Sequence, residues 1–143
     1  MAEPLVHRMR VRFAECDEQG VVFNAHYLAY ADVVLTELFR SAFGGYANVT
    51  NRGVDVVVGE ANIVFRAAAR FDEEIDITLT IAHLGTTSMT SLLRMTRGPD
   101  GELLTQSRLR YVWVALPGYG KTPIPDWARE GLAAHYVPED VQR

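Results

Sequence analysis

One long segment with helical periodicity constrains this chain more than any other feature. Between residues 24 and 43, apolar residues recur at steps of three and four, and Gly44-Gly45 follows as a stop signal. The recurring residues are Tyr27, Leu28, Ala31, Val34, Leu35, Leu38 and Phe39. Because its apolar surface is so wide, this helix is predicted to be largely buried, and the rest of the chain has to cover it.

The covering layer is predicted to be an antiparallel sheet of about five strands. Residues 5–13 alternate as a strand with one buried face, and four further strand segments follow the helix. They are rich in β-branched and aromatic residues and span 54–65, 74–82, 87–96 and 102–116. The turn Gly98-Pro99-Asp100-Gly101 predicts a hairpin, and a short helix is expected over 125–136. The pattern is that of an α+β fold in which the sheet wraps one helix.

Length and composition limit the number of domains and the classes of partner. A chain of 143 residues, 48% of them hydrophobic, suffices for one core, so we predict a single domain over 1–143. The net charge of -4 and pI near 5.5 do not favour binding to nucleic acid or to an anionic membrane. With a single cysteine and no export or membrane-spanning pattern, we expect a cytoplasmic protein without membrane insertion.

The densest group of chemically useful residues directly precedes the long helix. Asp17 is followed by the turn residue Gly20 and by a helix start at Asn24. The first N–H groups of a helix are unpaired and carry partial positive charge, so they can stabilise the oxyanion formed when a thioester is attacked. A nearby carboxylate can act as nucleophile or as general base toward water, and the residues leave both roles open. Because a thiol has a pKa of about 8.5, its departure requires no dedicated acid.

This segment resembles the opening of the 4-hydroxybenzoyl-CoA thioesterase family and its relatives associated with the Tol-Pal system. The residues that match the family pattern in order are Asp17, Gly20, Val21, Val22, Phe23, Asn24 and Tyr27, and weaker similarity extends over nearly the whole chain. The resemblance implies a hotdog fold and an acyl-CoA thioesterase. The implied enzyme acts on an acyl-CoA or aryl-CoA, and it needs no cofactor because CoA is part of the substrate.

The resemblance also implies a role for each matching residue. Asp17 is the catalytic carboxylate, and the backbone N–H of Asn24 is the oxyanion donor. Substrate contacts are implied for Gly20, Val22, Phe23 and Tyr27 and for the turn Gly85, Thr86, Thr87 and Ser88. That turn stands where the aryl-CoA enzymes carry basic residues near the nucleotide. Arg66, Arg70 or a basic residue of a partner subunit therefore remain alternatives for binding the CoA phosphates.

Simpler structural interpretations exist for several of these residues. Without the surrounding pattern, Asp17 is typical of a turn, and Asn24 of a helix cap formed through its side chain. Cys16 lies beside the negative Asp17, which disfavours a thiolate, so we interpret it as a packed side chain. His26 is interpreted as structural or exposed, and the other histidines lie too far apart for a zinc motif, so no metal is predicted.

Two other functions compete with hydrolysis. A hotdog hydratase or dehydratase generally has a paired histidine and acid, often with Asn-Pro near the helix start, whereas Ala25 follows Asn24 here. A non-catalytic acyl-CoA-binding module gains little from a carboxylate beside a neutral thioester. In any of these roles, a sheet wrapped on one helix leaves strand edges uncovered, so a homodimer or a tetramer of dimers is predicted. The nature of the acyl group stays open.

Overall fold

The computed structural model describes residues 2–98 and 100–139. The chain forms β1 (Leu5–Arg10), a 3-10 turn (Phe13–Glu15), α1 (Ala25–Phe43), α2 (Tyr46–Thr50), β2 (Val54–Phe65), β3 (Glu74–Leu84), β4 (Ser88–Arg97), β5 (Leu103–Ala115), β6 (Gly120–Lys121), α3 (Asp126–Leu132) and a second 3-10 turn (Ala133–His135). None of these helices combines the length and the apolarity needed to cross a bilayer.

The strands form one antiparallel sheet in the order β1-β3-β4-β5-β2, with the short β6 paired to β5. In β3, the alternation of apolar and polar residues sends one set of side chains to the helix side. Those apolar residues, Ile75, Ile77, Leu79 and Ile81, are fully buried. The strands β1 and β2 lie at the two edges of the sheet, and each pairs with a single described strand.

Helix α1 packs its apolar side into this core. Its buried residues are Tyr27, Tyr30, Ala31, Val34, Leu35, Leu38 and Phe39. The Phe39 ring lies 5.4 Å from the ring of Phe43, 5.1 Å from that of Tyr46 and 6.1 Å from that of Trp113. The helix ends where Gly44 adopts φ 81° and its N–H donates to the carbonyl of Arg40.

The predicted α+β architecture is confirmed, with five long strands and one long helix. The bounds of β2 are as predicted, and α1 begins one residue later than expected. Two elements were missed, α2 and the two-residue β6, because each is too short to show a hydrophobic period. Pro99 of the predicted hairpin turn lies outside the described residues, but β4 and β5 pair as expected.

The prediction that β1 continues to Phe13 with that ring on the buried face is wrong. The strand ends at Arg10, and the chain then turns because the Glu15 carboxylate accepts a hydrogen bond from the Arg12 N–H. Phe13 therefore lies on a 3-10 turn and is 79% exposed, with its ring edge-to-face against Phe71. A period-two pattern does not reveal a turn that a side chain three residues later stabilises.

We expect Phe39→Ala to lower the free energy of unfolding by about 3–5 kcal/mol, because it leaves a cavity among aromatic rings at the centre of the core. Urea unfolding at one fixed protein concentration measures the change. The control is Val6→Ala on β1, where the side chain is 58% exposed and removal should change stability by less than about 0.5 kcal/mol. Equal losses in the two variants would contradict the packing described here.

Candidate active site

Asp17 opens a tight hairpin whose geometry follows from its sequence. The Asp17 N–H donates to the carbonyl of Val21 at 2.9 Å, and the Gly20 N–H donates to the Asp17 carbonyl at 3.0 Å. Gly20 has φ 76°, a conformation that side chains with a Cβ disfavour. The Asp17 Oδ1 accepts from the Gln19 N–H at 2.8 Å, whereas no described residue donates a hydrogen bond to Oδ2. One carboxylate oxygen thus builds the turn, and the other is available.

The returning arm of the hairpin is fixed against the segment 66–70. Val22 pairs with Cys16 across the hairpin, and its N–H donates to the carbonyl of Ala69 at 2.9 Å. Val21 forms a second isolated bridge with Arg70. Val22 is buried by these contacts. The hairpin is therefore closed between its own arms and fixed against the segment 66–70, so the half-buried Asp17 has a defined position.

The start of α1 leaves backbone donors unpaired. Within the described residues, the N–H groups of Asn24 and Ala25 donate no hydrogen bond, whereas the neighbouring Phe23 N–H donates to the Glu15 carbonyl at 2.9 Å. The Asn24 side chain makes no capping hydrogen bond, and its backbone is already helical at φ -53° and ψ -34°. The side-chain cap considered from the sequence is thus not formed. The Asn24 N–H meets the first requirement for an oxyanion donor.

A pocket of about 280 Å³ opens beside this helix start. Its lining residues are Val22, Asn24, Tyr27, Phe65, Arg66, Ala67 and Ala68. Three of the predicted substrate and catalytic residues therefore meet at one cavity. In the opposite wall, Arg66 was named from the sequence as a candidate for the CoA phosphates, whereas Phe65, Ala67 and Ala68 were not predicted as site residues. No histidine belongs to this lining.

Tyr27 connects the helix to that wall. Its hydroxyl oxygen accepts a hydrogen bond from the Ala69 N–H at 3.1 Å, and its ring lies edge-on to Phe65 at 5.5 Å. Burial raises the pKa of Tyr27, although the hydrogen bond from Ala69 opposes the shift. The hydroxyl therefore keeps its proton at neutral pH. Tyr27 acts as a fixed part of the pocket wall.

The segment 66–70 is held from its other side by Arg97. The guanidinium donates to the Ala68 carbonyl at 3.0 Å and to Glu102 at 2.9 Å, and it pairs with Glu73. The Arg97 side chain is largely buried, so these ion pairs are less screened by salt than ordinary surface pairs. Arg97 thus fixes the pocket wall against the β4–β5 hairpin.

The first arm of the hairpin is linked to α1 through the buried carboxylate of Glu15. Glu15 is 5% exposed and accepts hydrogen bonds from the Arg12 side chain and from the Tyr30 hydroxyl, the latter at 2.9 Å. Burial alone raises the pKa of Glu15, but the hydrogen bonds from Arg12 and Tyr30 outweigh it and leave the pKa below its ordinary value. The stabilisation from this carboxylate is complete above about pH 4.3 and is lost as pH falls through the lowered folded-state pKa.

Asp17 and Gly20 lie on the hairpin that precedes α1 and are not among the residues lining the pocket, and two further groups of predicted site residues also lie outside that lining. Phe23 is 48% exposed and its ring stacks edge-on to His26. The turn from Gly85 to Ser88 lies at the far end of β3, an 11-residue strand about 35 Å long. Its carbonyls accept hydrogen bonds from Arg129, Trp113 and Ile124. Within one protomer this turn and the Asp17 hairpin lie at opposite ends of β3, so the structure does not bring the turn to the pocket.

Metal ligands are not grouped in the described part of the chain. Across residues 2–98 and 100–139, no set of three or more histidine, cysteine, aspartate or glutamate side chains is arranged to hold a metal ion.

Comparison with known families identifies the kind of protein to which this hairpin and helix belong. A model of the thioesterase-like superfamily matches residues 11–132. The chain belongs to this superfamily. The match covers the Asp17 hairpin, α1 and every strand of the sheet except β1, so the recognition made from the sequence is confirmed at the superfamily level. The finer assignment to 4-hydroxybenzoyl-CoA or Tol-Pal-associated enzymes stays a prediction.

Relatives in sequence are moderately similar to the chain. The acyl-CoA thioester hydrolase YbgC of Escherichia coli is 26% identical over 106 residues, which cover 74% of this chain and 78% of that protein. A relative from Aquifex aeolicus is 28% identical over 81 residues, 57% of this chain. The matched part spans 63% of the length of the Aquifex protein.

Solved structures agree with the superfamily assignment over almost the full chain. A protein from Thermus thermophilus superposes with a TM-score of 0.83 at 30% identity, covering 92% of this chain and 98% of that one. Slr0204, a 1,4-dihydroxy-2-naphthoyl-CoA thioesterase from Synechocystis, superposes with a TM-score of 0.83 at 20% identity, covering 92% and 96%. The predicted hotdog fold, a curved antiparallel sheet around one long helix, is thereby confirmed.

We expect Gly20→Ala to lower stability by about 1 kcal/mol and to lower thioester hydrolysis, because alanine disfavours φ 76° and shifts the hairpin that carries Asp17. Space is not the cause, since a Cβ at Gly20 meets no atom within 4 Å. Gly118→Ala is the matched control, because its Cβ also meets nothing and its φ is not positive. Thermal unfolding and initial rates measure both effects, and an unchanged Gly20→Ala protein would contradict a strained turn.

Proposed function

We propose that the protein is an acyl-CoA thioesterase that hydrolyses a CoA thioester to the free acid and CoA. One observation carries the proposal. The available Oδ2 of Asp17 and the unpaired N–H of Asn24 belong to the same short hairpin-to-helix connection, and Asn24 lines a pocket of about 280 Å³. Membership of a superfamily of thioesterases, and the name of the Escherichia coli relative, support the reaction class.

In the proposed reaction the thioester carbonyl accepts a hydrogen bond from the Asn24 N–H. This donor, at the positive end of the α1 dipole, stabilises the negative charge that develops on the carbonyl oxygen. Asp17 either takes a proton from the attacking water or attacks the carbonyl carbon itself, forming an anhydride that water then opens. In both routes the carbon–sulphur bond breaks and CoA departs as the thiolate, which takes up a proton from solvent.

Two arginines are candidates for contact with the CoA phosphates. Arg66 lines the pocket, and Arg70 bridges to Val21 in the Asp17 hairpin. Neither side chain forms a salt bridge with any residue of the described ranges, so each guanidinium keeps its donors for a phosphate. We propose that one of them contacts the CoA phosphates, with a basic group of a second subunit as the alternative.

We expect Asp17→Asn to lower kcat by about 10²–10⁴-fold while the fold and the affinity for CoA persist. The amide keeps the size of the side chain and the hydrogen bond to Gln19, but it neither attacks nor accepts a proton at neutral pH. Thiol release from a panel of short, long, branched and aromatic acyl-CoA substrates measures the rates, with and without a chelator. Asp72→Asn is the control, because Asp72 is another turn aspartate, with φ 68°, a conformation that asparagine tolerates.

Each outcome of this panel has a distinct meaning. Hydrolysis by wild type that survives chelation and is lost in Asp17→Asn supports the mechanism. Near-normal kcat in a correctly folded Asp17→Asn protein would reduce Asp17 to a turn residue and remove the mechanism. Binding of CoA thioesters without turnover by wild type would favour the non-catalytic module instead.

We further propose that the active form is a homodimer, or a tetramer of dimers, assembled through β2. This strand is a sheet edge, and from its fourth residue onward it exposes apolar side chains, namely Val57, Val58, Val64 and Phe65. An apolar edge strand of this length promotes pairing with another chain. A second copy would also bring a Gly85 turn and further basic residues to the assembly.

Val64→Glu is expected to shift the protein toward monomer and to lower activity in parallel, because a charge at an apolar edge opposes association. Sedimentation velocity and kcat, measured at matched concentrations, test both effects. Val6→Glu places the same charge on the exposed edge β1 and should leave assembly unchanged. A fully active wild-type monomer would overturn the proposed assembly.

A further inference from the structure

We propose that Glu15 is a positioning residue for hydrolysis, and that together with Tyr30 it holds the Asp17 carboxylate in place relative to the Asn24 N–H. This inference rests on the proposed function. It concerns a buried acidic side chain that lies on a different side of the hairpin from the pocket, and that is not among the residues lining it.

The side chain of Glu15 links the hairpin to α1. Its Oε1 accepts from the Arg12 N–H at 2.8 Å and from the Tyr30 hydroxyl at 2.9 Å. Its Oε2 accepts from Nε and Nη2 of Arg12 at 3.0 and 2.6 Å. Four hydrogen bonds thus fix one carboxylate, and the bond from Tyr30 is its direct side-chain connection to α1.

The backbone of Glu15 completes a second link. Its carbonyl accepts from the Phe23 N–H at 2.9 Å, and Phe23 immediately precedes Asn24. Glu15 itself is two residues before Asp17, with only Cys16 between them in the arm of the hairpin. A single residue is therefore bonded through its backbone to the chain beside the oxyanion donor and through its side chain to the helix that carries that donor.

Tyr30 is placed so that a shift of α1 changes its hydrogen bond to Glu15. It lies one turn from the helix start, is fully buried, and packs its ring edge-to-face against Tyr27 at 5.9 Å. Tyr27 is in turn hydrogen-bonded to Ala69, to which the other arm of the hairpin is also bonded. The hairpin is thus held to α1 on the Glu15 side and to the pocket wall on the Val22 side.

The consequence for rate follows from the sensitivity of catalysis to geometry. A displacement of about 1 Å in a reacting group costs on the order of 10²-fold in rate, even when its cause lies away from the chemistry. Loosening the Glu15 side would leave the hairpin, whose two arms are bonded to each other, attached through its Val22 arm to the segment 66–70, so that Asp17 could shift relative to α1. Substrate affinity, which depends on the pocket and on contacts to CoA, should change much less than kcat.

Two variants test the link at different strengths. Tyr30→Phe removes one hydroxyl and keeps the packed ring, and Glu15→Gln keeps the shape and removes the charge that pairs with Arg12. We expect kcat to fall by about 3–10-fold in Tyr30→Phe and about 10–100-fold in Glu15→Gln, with KM changed by less than about threefold. The matched control is Tyr46→Phe, which also removes a tyrosine hydroxyl bonded to a carboxylate, that of Asp55, and should leave kcat unchanged.

Combining each variant with Asp17→Asn separates positioning from general destabilisation. With the Asp17 carboxylate absent, its placement relative to Asn24 no longer matters, so the added loss of kcat should shrink to less than about threefold. A purely structural role predicts instead that the losses multiply in full. Thermal unfolding of all variants shows whether each stays folded at the assay temperature, and Tyr30→Phe keeps the test decisive if Glu15→Gln does not fold.

The outcomes distinguish failure of this inference from failure of the proposed function. If wild type is active and Asp17→Asn is not, but folded Glu15 and Tyr30 variants keep kcat within twofold of wild type, the positioning role is wrong and the function stands. Losses that multiply fully with Asp17→Asn, or that appear equally in Tyr46→Phe, also overturn it. If wild type hydrolyses no thioester of the panel, the proposed function is wrong and the positioning role falls with it.

Discussion

The burial of α1 is the constraint on which the rest of the structure depends. The apolar side of this helix has to be covered along its length, and the sheet supplies the cover through residues such as Ile77 and Trp113. The first turn of α1, however, lies at the edge of the covered region, where Asn24 is exposed. The unpaired backbone N–H groups at the helix start therefore lie at the surface, next to the turn that carries the Asp17 carboxylate.

Polar links at this edge replace the apolar packing that holds the interior. Glu15 bonds the Asp17 hairpin to α1, whereas Tyr27 and Arg97 bond to the segment 66–70, against which the hairpin packs. Such links are directional, so they set orientation more finely than apolar contacts do. The Glu15 link also depends on charge, because protonation of Glu15 in acid removes the partner of Arg12.

Much of this was accessible from the sequence, for reasons that can be named. The 3.6-residue period of α1 and the two-residue period of β3 are local signals, and both were predicted correctly. The Asp17 turn and the helix start are also local, so their proximity followed from order alone. The wall around Ala67 is brought to the site only by β2–β5 pairing, and the Glu15–Tyr30 bond joins residues on different elements. Phe13 was misplaced because the turn that exposes it is stabilised by a side chain, which leaves no trace in hydrophobic periodicity.

The unequal use of the two Asp17 oxygens has a stereochemical consequence. Because Oδ1 is bonded to the Gln19 N–H, the carboxylate plane is restrained, and Oδ2 is the oxygen that no donor of the described residues occupies. A carbonyl group that is hydrogen-bonded by the Asn24 N–H is itself held in one orientation. In the proposed mechanism, nucleophile delivery would then be confined to one of the two prochiral faces of the planar thioester, and the hairpin would select the handedness of the tetrahedral intermediate.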